Sequence, residues 1–276
     1  MRIECRICPH HCKIEEGQVG LCKARMNRNA EIISENYGKL TSVALDPIEK
    51  KPLYHFHPGS KILSIGSYGC NMNCPFCQNC DISMVGSQEI EVEEVTPSEM
   101  VLEARRLRSR GNIGIAYTYN EPLIGFEFVR DCAKAAKAEG LINVVVTNGY
   151  VCEEPLKELL PYIDAFNIDL KCFTEDFYHK LGGDLATVKQ TIRLAAAHTH
   201  VEVTTLIIPG ENDSDEEMME LSGWLSSLRP DIPLHISRFF PRWKMQDKEA
   251  TSVQQVYHLA DIARINLNYV HEGNCF

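Results

Sequence analysis

From residue 61 onward, short stretches of apolar residues alternate with longer segments in which apolar residues recur every three or four positions. The first pattern is typical of buried strands, and the second is typical of amphipathic helices packed on a sheet. Strands are predicted at residues 61–67, 112–118, 143–149, 165–171, 200–208 and 233–240, with a further strand at 266–273. Helices are predicted at residues 98–109, 123–139, 155–160, 185–197, 214–228 and 252–265.

The first of these helices has clear start and stop signals. Thr96 is a predicted N-cap, Pro97 lies just inside the helix, and Gly111 follows its end. An acidic segment later in the chain is predicted to begin a helix capped by Asp213 or Ser214. Nearly apolar strands that alternate with helices predict a parallel sheet covered on its faces, and no glycine-rich dinucleotide fingerprint follows the first strand. We therefore predict an α/β fold, a partial (β/α)6-type TIM barrel.

The N-terminal part of the chain has a different composition. It carries four cysteines in its first 28 residues, and alternating stretches at 30–36 and 39–45 predict a short hairpin. Residues 46–60 contain three prolines and are predicted to be an irregular connector. We expect two units: a small Cys-rich N-terminal metal-binding subdomain with its connector at 1–58, and the barrel at 59–276.

Composition and charge reduce the number of function classes to consider. The chain has 276 residues, is 44% hydrophobic and 24% charged, and carries a net charge of -10, which argues against charge-driven binding of nucleic acid. Its apolar runs are too short to span a bilayer, and its N-terminus has no signal-peptide pattern, so the cytoplasm is expected. Twelve cysteines in a reducing compartment indicate metal or iron–sulfur binding rather than disulfides.

The densest cysteine group follows the first predicted barrel strand. The segment "SYGCNMNCPFCQNC" at 67–80 contains Cys70, Cys74 and Cys77 in a C-x3-C-x2-C pattern. A closed iron–sulfur cluster ordinarily takes four cysteines, so three thiolates leave one iron free to bind something else. In a barrel, catalytic groups lie at the carboxyl ends of the strands, where this loop begins.

This pattern, with Phe76 directly before the last cysteine, resembles the signature of the radical S-adenosylmethionine (SAM) superfamily. The resemblance implies a [4Fe-4S] cluster whose open iron binds SAM. One electron, from a flavodoxin- or ferredoxin-type donor, then cleaves SAM to methionine and a 5'-deoxyadenosyl radical that removes hydrogen from a substrate. The alternatives are a zinc knuckle, or a non-catalytic scaffold or electron-transfer cluster.

Further strand ends resemble the glycyl-radical activating branch, typified by the pyruvate formate-lyase activating enzyme. The motifs "CPHHC", "CPFCQN", "AYTYNEP" and "HISRFFP" look most like those of the AmmeMemoRadiSam system radical SAM enzymes. The resemblance implies that the following residues contact the cofactors: Phe76, Asn120, Glu121, Thr147, Asn148, Asp169, Lys171, Ile208, Ser237 and Arg238.

Each of these assignments has a structural alternative. Asn120 is also a plausible helix cap, and Asp169 and Lys171 could form a simple ion pair. Ser237 and Arg238 could belong to the polar face of one strand. Val146 stands where the activating branch typically has an aspartate, so a cation site like theirs is not expected.

The remaining cysteines and histidines give separate expectations. Cys80 is expected to be a free, partly exposed thiol, and it joins Arg238 and Lys171 as a weak catalytic candidate; Cys275 stands where relatives often have another cysteine pair. A second metal, either zinc or an auxiliary iron–sulfur cluster, is predicted at Cys5, Cys8, Cys12 and Cys22, with His10 and His11 as alternative zinc ligands and disulfides as the weaker alternative. Ordinary roles are expected for buried Cys132, Cys152 and Cys172 and for surface histidines 55, 57, 198 and 200.

The substrate stays open at this stage. The activating-enzyme resemblance implies hydrogen abstraction from a backbone glycine of a protein partner. The AmmeMemoRadiSam resemblance also leaves room for a different protein side chain, a peptide or a small molecule.

Overall fold

The computed structural model describes residues 1–275. Its strands, in chain order, are β1 (Ile3–Glu4), β2 (Lys13–Ile14), β3 (Arg25–Arg28), β4 (Glu31–Ser34), β5 (Lys39–Leu40), β6 (Ser42–Pro47), β7 (Lys61–Gly66), β8 (Glu93–Glu94), β9 (Asn112–Tyr117), β10 (Ile142–Thr147), β11 (Ala165–Asp169), β12 (His200–Ile207), β13 (Leu234–Arg238) and β14 (Val270–Gly273).

The α-helices are α1 (Cys80–Ser83), α2 (Pro97–Arg106), α3 (Phe126–Ala138), α4 (Glu153–Leu159), α5 (Glu175–Lys180), α6 (Leu185–Ala196), α7 (Asp215–Leu228) and α8 (Val253–Ala263). Short 3-10 helices occupy Ile48–Lys50, Leu107–Arg110, Pro122–Gly125 and Leu160–Tyr162.

The central sheet of residues 1–275 has eight strands in the order β14-β13-β12-β11-β10-β9-β7-β6. Every neighbouring pair from β7 to β14 is parallel, and β6 adds to one edge in the antiparallel direction. Because β6 and β14 are both edges, the sheet is an open, partial barrel. The predicted fold class is confirmed, including the seventh parallel strand.

The helix signals read from the sequence are also confirmed. Thr96 and Glu99 form a reciprocal capping box at the start of α2, and Gly111 ends the following 3-10 turn with φ 90°. Of the two residues predicted to cap α7, Ser214 does so, because its side chain accepts a hydrogen bond from the Glu217 N–H. Local polar contacts at helix ends are therefore readable without tertiary information.

The predicted hairpin between residues 30–36 and 39–45 is wrong. Instead β3 pairs with β4 in a hairpin, and β6 pairs with β7 along its whole length. Alternation identified strand-forming residues, but it carries no information about the partner strand. Since β6 lies before residue 58 and extends the barrel sheet, the division of the chain at 58/59 stays a prediction.

The connector closes the amino-terminal end of the barrel. Ile48 and Leu53, both fully buried, pack against inward-facing residues of the sheet such as Ile62 and Val144. This apolar cluster fills one end of the barrel interior.

A buried carboxylate holds the connector against the sheet. Glu202 on β12 is fully buried and accepts hydrogen bonds from the N–H groups of Tyr54 and His55 and from the Nε2 atoms of His200 and His235, at distances from 2.6 to 3.0 Å. His200, expected to be an ordinary surface residue, instead contacts the buried Glu202 carboxylate, whereas His55 is exposed as expected and its Nε2 atom lies 2.8 Å from His271 Nε2.

Glu202→Gln is expected to destabilise the protein by roughly 3 kcal/mol, because breaking a buried charged network leaves its donors poorly paired. Burial raises the pKa of Glu202, but His200, His235 and the His55 N–H outweigh burial and lower it to about 2. The stabilisation is therefore complete above the usual carboxyl pKa and is lost as the pH falls toward 2. Urea unfolding at several pH values should show the gap between parent and variant narrowing below pH ~4.5. An equal effect of Glu220→Gln, at an exposed helical site, would contradict this account.

Candidate active site

The cysteine loop starts where β7 ends and lies against two other parts of the chain. Gly69 has φ 87°, and a Cβ there would lie 2.3 Å from the Cys22 carbonyl oxygen, so the loop needs glycine to pack against the N-terminal segment. On the other side, Asn120 accepts a hydrogen bond from the Ser67 N–H and donates to the Gly69 carbonyl, at 2.9 and 3.0 Å. Both contacts fix the loop before its first cysteine.

Cys70, Cys74 and Cys77 line one cavity of about 360 Å3 at the carboxyl ends of the strands. The Met72 N–H points at the Cys70 sulfur from 3.4 Å, and the Asn148 side-chain amide lies 3.6 Å from the same sulfur. Such N–H···S contacts suit the electron-rich sulfurs of a metal-bound cluster. Three thiols around one cavity therefore fit a cubane cluster bound at three corners.

Burial raises the pKa of all three thiols, that of Cys74 to about 11. Without a positive partner these groups are protonated at neutral pH. Nearby Lys171 favours the thiolates of Cys74 and Cys77, and the irons of a bound cluster supply further positive charge.

Glu121 is a second buried group in the cavity wall, with 4% of its surface exposed. Its carboxylate accepts hydrogen bonds from the Thr147 hydroxyl and the Asn148 N–H, both at 2.7 Å, and from the Leu123 N–H at 3.0 Å. Burial nevertheless raises its pKa to about 7. The residue that caps the 3-10 turn at Pro122 is Glu121, so the alternative role of Asn120 as a cap is wrong.

Asp169 and Lys171 meet at the end of β11. Lys171 Nζ lies 2.7 Å from Asp169 Oδ2, and both residues line the cavity. Burial lowers the pKa of Lys171, but the Asp169 carboxylate outweighs burial and raises it. The ion pair foreseen as an alternative is present, and it lies in the same cavity as the cysteines.

The structure brings together most of the predicted contacts and leaves others out. Phe76, Asn120, Glu121, Thr147, Asn148, Asp169, Lys171 and Ser237 line the cavity. Ile208 is fully buried and is not among the lining residues. Arg238 lies on the other face of β13 from Ser237 and donates to the Thr251 carbonyl at 2.6 Å. Roles for Ile208 and Arg238 in contacting a bound cofactor are therefore not supported by their placement.

Cys80 is free but is not partly exposed as expected. It is 7% exposed, begins α1, and is not one of the residues that line the cavity. Its sulfur lies 3.6 Å from Oδ1 of the exposed Asp81. This position gives Cys80 no contact with the cavity, so its proposed catalytic role has no support.

Sequence reasoning missed a polar group on the opposite wall of the cavity. Lys51 is 3% exposed and lies 2.9 Å from Asp46, which also accepts a hydrogen bond from the Tyr119 hydroxyl at 2.7 Å. Tyr119 has φ 71°, an uncommon conformation for a bulky residue, and its ring lies under Lys51 Nζ. The local sequence did not distinguish Lys51, because it lies in the connector that was predicted to be irregular.

The four N-terminal cysteines line a second, smaller cavity together with His10 and Arg25. None of the twelve cysteines forms a disulfide within residues 1–275. In the same range, no three His, Cys, Asp or Glu side chains lie close enough to hold a single metal ion. Residues 1–275 also contain no helix with the length and apolar character needed to span a membrane.

An open α/β barrel with three cysteines on the loop after its first parallel strand defines a class of iron–sulfur enzymes. The sequence profile of the Radical SAM superfamily matches residues 64–222, and the chain belongs to this superfamily. It is a radical SAM enzyme of the kind related to pyruvate formate-lyase activating enzymes, and its cofactors are a [4Fe-4S] cluster and SAM. The predicted family and cofactors are confirmed.

Two relatives and one structure of similar fold illustrate the similarity. An uncharacterized protein of Methanocaldococcus jannaschii is 41% identical over 99% of this chain and 81% of its own length. The pyruvate formate-lyase 1-activating enzyme of Escherichia coli is 28% identical over 59% of this chain and 68% of its own length. The structure of Streptococcus suis SuiB bound to S-adenosylmethionine shares the fold with a TM-score of 0.59, at 13% identity, over 77% of this chain and 51% of SuiB.

Cys74→Ala is expected to remove about four irons per chain and the associated visible absorbance, because a cluster with two protein ligands is no longer held. Iron analysis after anaerobic purification measures the loss. Cys132→Ala is the matched control, since Cys132 is a buried thiol on α3 that lies outside both cavities. Equal iron content in parent and Cys74→Ala would contradict the assignment of the loop.

Proposed function

We propose that this enzyme abstracts a hydrogen atom from a protein or peptide substrate. A bound [4Fe-4S] cluster together with SAM would supply the one-electron radical chemistry that hydrogen abstraction requires. The observation that carries the proposal is the shared cavity, in which three thiols, a buried carboxylate and the Asp169–Lys171 pair line one space open to solvent.

The chain's own residues divide the work in this proposal. Cys70, Cys74 and Cys77 hold the cluster. Glu121 is already held by three hydrogen bonds. Its carboxylate accepts a hydrogen bond from the amino group of the SAM methionine moiety, and Asn148 beside it orients that moiety. Because the carboxylate is held before SAM arrives, little ordering of Glu121 is needed on binding.

Similarity to activating enzymes supports a protein substrate. Pyruvate formate-lyase 1-activating enzyme, 28% identical to this chain, is named for its action on another enzyme. Activation of a glycyl-radical enzyme, by hydrogen abstraction from a backbone glycine, is therefore the most specific form of the proposal. A small-molecule substrate is the second form, and a cavity of about 360 Å3 lies within the size range of small-molecule sites.

Two further expectations belong to this proposal. A flavodoxin- or ferredoxin-type protein delivers the electron. The enzyme works in the cytoplasm, because twelve unpaired cysteines and an oxygen-sensitive cluster require a reducing compartment. Neither a membrane nor a nucleic acid is expected as a partner.

The reduced, anaerobic protein is expected to produce 5'-deoxyadenosine and methionine from SAM, and Cys74→Ala is expected to produce neither. Chromatography of the products measures both. Incubation with pyruvate formate-lyase containing deuterated glycine tests the activating form, which predicts deuterium in the 5'-deoxyadenosine. Unlabelled product would exclude this form alone, whereas the absence of SAM cleavage by the cluster-loaded parent would overturn the radical proposal and favour a non-catalytic scaffold.

SAM binding is expected to strengthen as the pH rises from 6 to 7.5, because the pKa of Glu121 is raised to about 7 and only its ionised form attracts an ammonium group. Glu121→Gln is expected to bind SAM roughly ten-fold or more weakly, the loss expected for a buried charge-assisted hydrogen bond, with a flatter pH dependence. Calorimetric titration with SAM measures both effects. Glu220→Gln is the exposed control, and an unchanged pH profile in Glu121→Gln would contradict the role of this carboxylate.

A further inference from the structure

The N-terminal cysteines form a site that the radical chemistry does not use. Cys5, Cys8, Cys12 and Cys22 line a single cavity, and three of them are less than 9% exposed. Tight backbone turns hold them there: the Cys5 N–H donates to the Cys12 carbonyl at 2.9 Å, and the His11 N–H donates to the Cys8 carbonyl at 3.1 Å. Four thiols from one short segment surround a common space.

Arg25 provides an independent sign of a missing partner. It is 4% exposed and lines the same cavity. Its terminal nitrogens pair with Glu127, but the buried Nε–H has no hydrogen-bond partner among residues 1–275. A buried donor without an acceptor is costly. A negatively charged sulfur in the cavity would supply the acceptor.

The surrounding chain packs closely on this cavity, whose volume is about 10 Å3. A Cβ on Gly20 would lie 3.1 Å from an Ile14 methyl group and 3.5 Å from the Cys12 sulfur, so the backbone there approaches the cavity wall closely. The two strands that frame the cysteines have only two residues each. Segments with so little regular structure commonly depend on a bound metal for stability.

We propose that Cys5, Cys8, Cys12 and Cys22 hold a second metal centre through four thiolates, separate from the radical cluster. Four protein thiolates fill every position of a tetrahedral zinc ion or every corner of a [4Fe-4S] cluster, so the centre is closed and does not bind SAM. Either occupant leaves a net negative charge on its sulfurs, which Arg25 offsets. The thiols surround a space and do not converge on one point, so zinc would require the turns to close inward.

Contacts from the N-terminal cysteine segment also support the loop that carries Cys70. His10 Nε2 lies 2.8 Å from the backbone oxygen of Asn71, the residue after Cys70. The Asn71 side chain donates to the Tyr150 carbonyl at 2.6 Å and accepts from the Asn148 amide at 2.9 Å. A chain of direct contacts thus joins the N-terminal cysteine turn to the cluster loop and to Asn148. Loss of the second centre is therefore expected to loosen the loop that carries Cys70.

Metal analysis of two full-length variants tests the proposal. Cys70→Ala/Cys74→Ala/Cys77→Ala removes the radical cluster, so any metal that stays bound, about one zinc or about four irons per chain, belongs to the second centre. Cys8→Ala/Cys22→Ala is expected to lose that same metal. Cys132→Ala is the control for loss of a buried thiol and is expected to keep all of it.

Each outcome decides the proposal. Zinc or iron retained by the triple variant supports it and distinguishes the two occupants, whereas a triple variant free of both metals overturns it. Full metal content in Cys8→Ala/Cys22→Ala also overturns it. If that variant does not fold, Cys22→Ala and Cys22→His are compared: for zinc, the imidazole is expected to keep the metal that alanine loses, and full metal content in Cys22→Ala overturns the proposal for either occupant. Failure here leaves SAM cleavage by the parent intact, so it is distinguishable from failure of the proposed function.

Discussion

The parallel register of the sheet is the constraint on which the site depends. From β7 to β12, the strands run the same way and pair in register, so their carboxyl ends meet at one rim. The cysteine loop, Glu121, Thr147 and Asp169 all follow or end these strands, although they are separated by up to about a hundred residues. The amino-terminal end is filled by Ile48 and Leu53, which leaves the rim as the place where a ligand cavity can form.

Burial strongly affects the protonation states of the ionisable groups in this cavity. Glu121, Lys171 and the three thiols are all removed from water, and each would shift toward its neutral form without a partner. Asp169 keeps Lys171 charged, and Lys171 in turn favours the thiolates of Cys74 and Cys77. Glu121 keeps a raised pKa despite three hydrogen bonds, which leaves it responsive to a cationic ligand. The raised pKa of Glu121 therefore makes the charge of this buried carboxylate sensitive to the charge of a ligand in the cavity.

The N-terminal segment takes part in this arrangement through contacts rather than through residues in the cavity. Gly69 packs directly on the Cys22 carbonyl, and His10 reaches the backbone of Asn71. Changes at the N-terminal cysteines are therefore expected to alter the position of the loop that carries Cys70. On another side of the cavity, Lys51 and Tyr119 are joined through Asp46, and the Tyr119 carbonyl accepts a hydrogen bond from the Asn79 side chain of the cysteine loop.

The sequence by itself determined the alternation of strands and helices, the capping at Thr96 and Ser214, and the three cluster cysteines, because these depend on neighbours within a few residues. It also identified the strand-end groups at Glu121, Thr147, Asn148, Asp169 and Lys171 through a family resemblance. Only the tertiary structure decided that β6 pairs with β7, that Arg238 and Cys80 turn away from the cavity, and that Lys51 enters it from the connector. Those outcomes depend on which distant surfaces pack together, and a pattern of period two or 3.6 specifies a face without specifying what covers it.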